Sequence, residues 1–319
     1  MTLTAIVPVW NGKELLGRLL ASLQRQTLPA SEVLVVDNGS TDGAPGLARD
    51  HGARVIEMGR NAGFAAAVNR GIRESKAEVI AILNSDVELA PDYFATLTTA
   101  GAPFATGKIF SAAARDRLDS TFDAISRGGA AWRVGEGRLD GPLFCARREI
   151  ALAPWTALVI RADVFAKVGL LNETFESYLE DVDFGLRCAA QGITGSYVPD
   201  AVAWHHGSAT LGRWHPDTVR RIARNQCYLV ALHYPRRFTW PILVGQGLWG
   251  LVAVRHGAGM AWFRGKWDGL LNSARLQRQS ALPESLFRDQ ERAIHTIQKS
   301  TGFDWYWRLY FLLTGTAAK

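Results

Sequence analysis

Four short runs of aliphatic and β-branched residues, each followed by a polar turn, constrain the first 105 residues more than any other feature of the chain. Leu3–Val9 leads into Asn11-Gly12 and then into Leu15, Leu16, Leu19, Leu20 and Leu23 at helical spacing. Glu32–Asp37 carries Val33-Leu34-Val35-Val36 and ends in Asp37-Asn38-Gly39-Ser40-Thr41-Asp42. A third run, 54–58, leads to Asn61-Ala62-Gly63-Phe64 and a helix through Arg73, and the fourth, 78–83, ends at Asn84-Ser85-Asp86. Strands alternating with amphipathic helices predict an α/β, Rossmann-like fold whose mostly parallel central sheet is flanked by helices. In such sheets ligands gather beyond the carboxyl ends of the strands, and Asp37, Asn38 and Asp86 all fall there.

Beyond this block the pattern weakens. Residues 106–153, rich in Gly, Arg and Ala, predict mostly loop, and a long loop in a compact domain is often functional. Helices are expected at 163–168 and 177–190, the second burying Tyr178, Val182, Leu186 and Ala189 with Glu180, Asp181 and Asp183 off that stripe. A strand pair at 196–198 and 201–204 would then deliver His205-His206.

Each polar cluster has a plain structural reading beside a chemical one. Asp37 through Asp42 are all turn and cap formers, but they could equally set a carboxylate on a base or ribose. Asn61-Ala62-Gly63 offers a glycine where backbone amides can approach a phosphate. Asp86 could cap its turn, or hold a hard divalent cation with positions left for a diphosphate. Glu180-Asp181-Val182-Asp183 complements a helix dipole, and the same crowding of acids is how a carboxylate base is made. His205-His206 is a surface pair or a source of one metal ligand.

Taken in order, these stretches resemble family 2 of the inverting glycosyltransferases, which share the A-type glycosyltransferase fold. The matching segments are Ile6-Val7-Pro8-Val9-Trp10-Asn11, Val35 to Asp42, Arg60 to Phe64 with Asn69-Arg70-Gly71, and Ile82 to Val87. They continue through Leu158-Val159-Ile160-Arg161, Glu180 to Asp183, and Tyr197-Val198-Pro199-Asp200 to His205-His206-Gly207-Ser208. Within the family the likeness is to bacterial rhamnosyltransferases of surface polysaccharide and cell-wall synthesis. It implies a donor site of Pro8, Val9, Asp37, Asn38, Asn61, Gly63, Asn84, Ser85 and Asp86. It implies Asp181 as catalytic base, acceptor contacts at Trp155, Glu180 and Asp183, and Mg²⁺ or Mn²⁺ on Asp86 and His205, with His206 the second choice. Asn84 stands where many relatives have aspartate, and its amide oxygen can ligate a cation but adds no charge; Ser85 replaces the proline common in the rhamnosyl group.

The resemblance makes the expected donor a dTDP- or UDP-sugar, with rhamnose the family-level sugar, and the acceptor a saccharide on a polyprenyl diphosphate. The alternative is a catalytically weak nucleotide-sugar-binding protein. A nucleotidyltransferase is disfavoured, because Trp10-Asn11-Gly12 stands where a Gly-, Arg- and Lys-rich triphosphate loop would follow the first strand.

A catalytic domain is expected over 1–230, with a donor half to about 105 and an acceptor half from about 106, followed by a helical region over 231–319. Charge divides similarly: residues 1–204 hold 20 Lys/Arg against 24 Asp/Glu, whereas 205–319 hold 16 against 6 and seven of the eleven tryptophans. Basic residues mixed with interfacial aromatics suit an anionic membrane surface or nucleic acid, and the resemblance favours the membrane, with no nucleic-acid partner. The 17 uncharged residues 238–254 contain Pro241, three glycines and Gln246, which favours an interfacial helix over a span. A helical subdomain burying its own tryptophans is the plainer alternative, and a homodimer a third. Three scattered cysteines and no secretory signal at the start lead to a cytoplasmic expectation, peripheral on the inner face of the cell membrane.

Overall fold

The computed structural model describes residues 1–207, 212, 214–277 and 282–315. Its first compact unit comprises Met1–Phe122 and Gly135–Thr210, and its second Asp123–Val134 and Leu211–Lys319. The chain therefore divides by contacts near 210 rather than 230, and a piece from inside the expected loop joins the second unit.

The first unit opens with β1 (Leu3–Val9), α1 (Lys13–Gln24), β2 (Glu32–Asp37), α2 (Ala44–Asp50), β3 (Arg54–Glu57), α3 (Phe64–Glu74) and β4 (Val79–Leu83). All seven residues of β1 and all five of β4 are buried, as continuous apolar strands in a covered parallel sheet should be. Helix α1 turns Leu16, Leu19, Leu20 and Leu23 into the core, the i, i+3, i+4, i+7 pattern of one helical face. Next come β5 (Val87–Leu89), α4 (Tyr93–Thr98), β6 (Phe104–Ser111) and β7 (Leu118–Ser120).

The stretch expected as mostly loop is largely that, but it carries several short strands. Besides β6 and β7 it holds β8 (Asp123–Ile125), β9 (Ala131–Arg133) and β10 (Arg148–Ile150), followed by β11 (Ala157–Arg161). Four of these strands are three residues long, too short for a period of two to declare itself. Helices α5 (Ala162–Val168) and α6 (Glu180–Ala190) precede β12 (Gly195–His205). The strand pair expected there is one strand, irregular between Val198 and Val202. Helix α6 begins three residues later than the hydrophobic pattern suggests because Tyr178 and Leu179 take left-handed backbone angles.

The ten-stranded sheet runs β10-β12-β6-β11-β4-β1-β2-β3, with β5 beside β12 and β7 beside β6. Strands β1 to β4 are mutually parallel, β11 is antiparallel to β4 and β6, and β12 is parallel to β6, so six strands share one direction. Chain order reverses at β1, with β2 and β3 to one side and β4 to the other. In sheets of this kind ligands bind at such a switch point, beyond the carboxyl ends, where Val9, Asp37 and Leu83 finish their strands.

The second unit combines the hairpin β8–β9 with α7 (Pro216–His233), α8 (Thr239–Arg255), α9 (Gly259–Ser273), α10 (Glu284–Thr301) and α11 (Trp305–Thr314). A buried ion pair ties hairpin to helices: Arg127 Nε lies 2.7 Å from Glu291 Oε2, at 9% and 0% side-chain exposure. Backbone N–H of Arg127 and the Tyr310 hydroxyl donate to Glu291 Oε1 at 2.8 and 2.6 Å. Removing one member would strand a charge, which explains why hairpin and helices form one unit.

Candidate active site

The loops after β1 and β2 interlock. Asn11 Oδ1 accepts from the Thr41 amide at 2.9 Å, Ser40 Oγ from the Asn11 amide at 2.8 Å, and Asp42 Oδ2 from the Lys13 amide at 2.8 Å. Asp37, 4% exposed, accepts from the Ser40 amide through both oxygens, at 3.1 and 3.3 Å. Asn38, 5% exposed, works as a clamp on the next loop: its amide nitrogen donates to Asn61 Oδ1 at 3.2 Å and Gly63 O at 3.1 Å, and its oxygen accepts from the Ala62 amide at 2.8 Å. Its side-chain oxygen and nitrogen are both directed at 61–63. Pro8 and Val9 are buried at the end of β1, and Asn61 is exposed.

The clamp reaches further along the chain. Gly63, at φ +90°, lies so close to the Glu176 backbone that a Cβ would stand 2.7 Å from its carbonyl oxygen. The Glu176 carbonyl accepts from the Ala65 amide at 2.9 Å, and Ser177 Oγ from the Phe64 amide at 3.1 Å. The donor loop and the segment before α6 are thus one hydrogen-bonded body. Three residues there, Glu176, Tyr178 and Leu179, have φ of 59°, 73° and 69°. Left-handed angles on bulky residues store strain, and such strain collects where a side chain must be aimed. The next residues are Glu180 and Asp181.

Asp181 is half-buried and shares a small cavity with Trp155, Ala153 and Phe184. Glu180 is 6% exposed. Asp183 is fully buried, 3.0 Å from Arg187 Nε, while that guanidinium also donates to the carbonyls of Val168 and Leu170. Burial and the Arg187 pair make Asp183 an anchor for α6. Trp155 is 5% exposed, with its ring edge-on to Phe184 at 5.0 Å, and it walls the cavity beside Asp181.

At the other side of the switch point, Asn84, Ser85 and Asp86 are all partly exposed, and the Asn84 amide donates to Thr156 O at 2.9 Å. Strand β12 brings His205 against Asp86, Nε2 to Oδ1 3.2 Å, while Nδ1 faces Asp119 Oδ2 at 3.0 Å. Burial alone would lower the imidazole pKa, but hydrogen bonds and charge from Asp119 and Asp86 overcome it and push it up to about 9. His206 turns elsewhere and meets Glu88 Oε1 at 2.8 Å, so His205 is the histidine that shares the Asp86 site. Asp119, on β7, had no sequence motif to announce it. Ser208, the end of the matched histidine stretch, lies outside the described residues.

Among the described residues no three His, Cys, Asp or Glu side chains converge as a metal cluster. The two carboxylates flank opposite nitrogens of the His205 ring, so only Asp86 and Nε2 face one point, while Asp119 holds the far nitrogen. A carboxylate oxygen beside an imidazole whose other nitrogen is held by a carboxylate fits a divalent cation that displaces the Nε2 proton and takes its remaining ligands from water and substrate.

Known proteins give the family and the fold. The family model described as Glycosyl transferase family 2 matches residues 4–100. The N-acetylglucosaminyl-diphospho-decaprenol L-rhamnosyltransferase of Mycobacterium tuberculosis is 30% identical over 226 residues, 62% of this chain and 74% of that protein. The chain belongs to glycosyl transferase family 2. Within the family it resembles the rhamnosyltransferases. The transferase shares its fold with GalNAc-T7, whose crystal structure holds UDP, GalNAc and Mn²⁺: TM-score 0.62 at 12% identity, over 99% of this chain and 58% of that one. A mannosyltransferase of Pyrobaculum calidifontis, in complex with GDP-Man and Mn²⁺, superposes with TM-score 0.54 at 17% identity, over 97% of this chain and 86% of that one. The expected A-type fold is thus the observed one.

Proposed function

We propose that this transferase moves a sugar, rhamnose from a dTDP donor being the family-level choice and a UDP-sugar the alternative, onto a hydroxyl of a polyprenyl-diphosphate-linked saccharide with inversion. The work would be a step of surface polysaccharide synthesis at the cytoplasmic face of the cell membrane. The observation that carries the reading is the strained segment 176–179, which is hydrogen-bonded to the donor loop and leads directly into Asp181. A base held by the same body that shapes the donor loop is positioned relative to the donor without a separate closing step.

Asp181 would accept the proton of the acceptor hydroxyl as that oxygen attacks the anomeric carbon from the face opposite the leaving group. Asp37 and the 61–63 loop would seat the nucleoside and phosphates, with Asn38 holding that loop in shape. Mg²⁺ or Mn²⁺, held by Asp86 and His205 with Asn84 nearby, would neutralise charge on the departing nucleoside diphosphate. Asp119 would keep the His205 ring turned toward Asp86.

A thermal-shift screen of nucleoside diphosphates and nucleotide-sugars, with and without Mn²⁺, tests the donor side, because ligand at about 100 times its Kd stabilises by roughly 2.7 kcal/mol. NMR of the product with the matched donor then reads the anomeric configuration. Retention of configuration would overturn the single displacement, and a donor that raises the melting temperature without ever being turned over would leave only the non-catalytic alternative.

A further inference from the structure

Three helices of the second unit carry large apolar side chains on the outside, each at helical spacing. On α8 these are Trp240, Leu243, Leu251 and Val254, 58–62% exposed. On α9 they are Met260, Phe263, Trp267, Leu270 and Leu271, at 57–66%, and on α11 Trp305, Leu309, Leu312 and Leu313, at 37–76%. The stripes adjoin. Trp240 Nε1 donates to the Leu313 carbonyl at 3.1 Å, and Val254 packs over Gly259 where the short turn 256–258 joins α8 to α9. Soluble surfaces seldom show contiguous apolar area on this scale without a partner.

Charge selects among partners. Across α8, α9 and α11 the exposed basic residues are Arg255, Arg264 and Arg308, Lys266 being turned inward, and the sole acidic one is Asp268. A second copy would bring like charges together around the apolar face, whereas an anionic lipid surface neutralises them. Neither can α8 cross a bilayer: it has 17 residues, and no helix among those described is long and apolar enough. Between α7 and α9 lies an open groove of about 400 Å³, lined by Arg220, Phe263, Arg264, Trp267 and Asp268. Asp268 Oδ2 pins Arg220 by Nε at 2.8 Å, leaving the groove with two guanidinium groups against one carboxylate. Phe263 and Trp267 belong both to the groove and to the apolar stripe, so a ligand there would have a charged end and a hydrocarbon end.

We propose that the stripes of α8, α9 and α11 form one face that lies flat on an anionic bilayer, with the Arg220–Arg264 groove at its edge taking a lipid phosphate. This deepens the membrane part of the proposed function but stands on the second unit alone, so it can fail while the transfer reaction survives. The test is flotation of the full chain with phosphatidylglycerol-containing vesicles against pure phosphatidylcholine, beside donor hydrolysis in solution. Wild type should float with the anionic vesicles at low salt. Leu251→Asp/Trp267→Asp/Leu312→Asp, changed only at exposed positions, should float at least about tenfold less, with unaltered melting temperature and donor hydrolysis. Arg264→Gln should lose about fivefold on anionic vesicles only. Equal binding to neutral vesicles, or a triple variant that floats like wild type, would overturn the proposal. So would release by millimolar glycerol phosphate, which marks a free-phosphate site, or a wild type that ignores vesicles and sediments as a dimer that the triple variant abolishes.

Discussion

The two compact units treat polar and apolar side chains in opposite ways. In the first, the large apolar residues are covered, and polar ones gather where β1, β2 and β4 end, in loops that hold each other by side-chain-to-backbone hydrogen bonds. In the second, a full ion pair, Arg127 with Glu291, is buried, while fourteen of the sixteen exposed large hydrophobics among the described residues lie outside. A unit that spends its polar groups at strand ends is built to hold a polar ligand. One that hides charge and displays leucine and tryptophan is built to be fixed in shape and to meet something apolar.

The largest effect that would sharpen this contrast is functional and confined to the first unit. Asp181→Asn removes the proposed base but keeps the shape and leaves the Asp183–Arg187 anchor of α6 in place. The transfer rate should fall about 10²–10⁴-fold, while the melting temperature and donor affinity stay as in the parent. Near-normal turnover would move the base elsewhere. A large drop in melting temperature would show that Asp181 is structural like its neighbour Asp183.

That neighbour marks how far the sequence could be read. The strands β1 and β2 were legible to the residue, because central parallel strands announce themselves as unbroken apolar runs. So was the placement of Asp37 and Asp86 at strand ends. The acids of α6 were not separable by sequence. Spacing lets Asp183, four before Arg187, pair with it, but which acid ends fully buried and which half-buried is decided by tertiary contacts. Asp119 was hidden for a different reason. Its strand is three residues long, and the pairing with β6 that carries it to His205 is a non-local event without local periodicity. In the second unit the exposed tryptophans were visible as composition, but the division of each helix into a packed and an open side was not.

A smaller effect tests the second unit's buried charge. Lys266 Nζ donates to the Ala223 carbonyl at 3.0 Å and to the side-chain oxygens of Gln226, at 2.8 Å, and Gln246. Burial pulls its pKa from 10.5 down to about 8, against a small opposing pull from Cys227. Between those values the unfolded chain keeps the proton that the folded one has released, so stability should rise with pH from 8 to 10.5. The full span amounts to about 3 kcal/mol. Denaturant melts across this range compare wild type with Lys266→Met, in which the rise should be missing. A variant that keeps the wild-type slope would place the titration elsewhere.

The smallest effect concerns the residue that links β7 to the proposed metal position. Asp119 touches His205 through Nδ1, so Asp119→Asn keeps a hydrogen-bonding oxygen at 3.0 Å while removing the charge that favours one ring orientation and a basic Nε2. A role confined to folding would show in the melting temperature and leave cation affinity alone. A positioning role predicts the reverse: Mn²⁺ affinity, read by titration calorimetry or by paramagnetic broadening of the His205 ring signals, falls about tenfold, or roughly 1.4 kcal/mol, with the melting temperature little changed. His206→Gln is the control, since His206 pairs with Glu88 and stands outside the Asp86 site. If that variant lost Mn²⁺ as strongly as Asp119→Asn, the assignment of the two histidines would be reversed, and β7 would be an ordinary edge strand with no part in the chemistry.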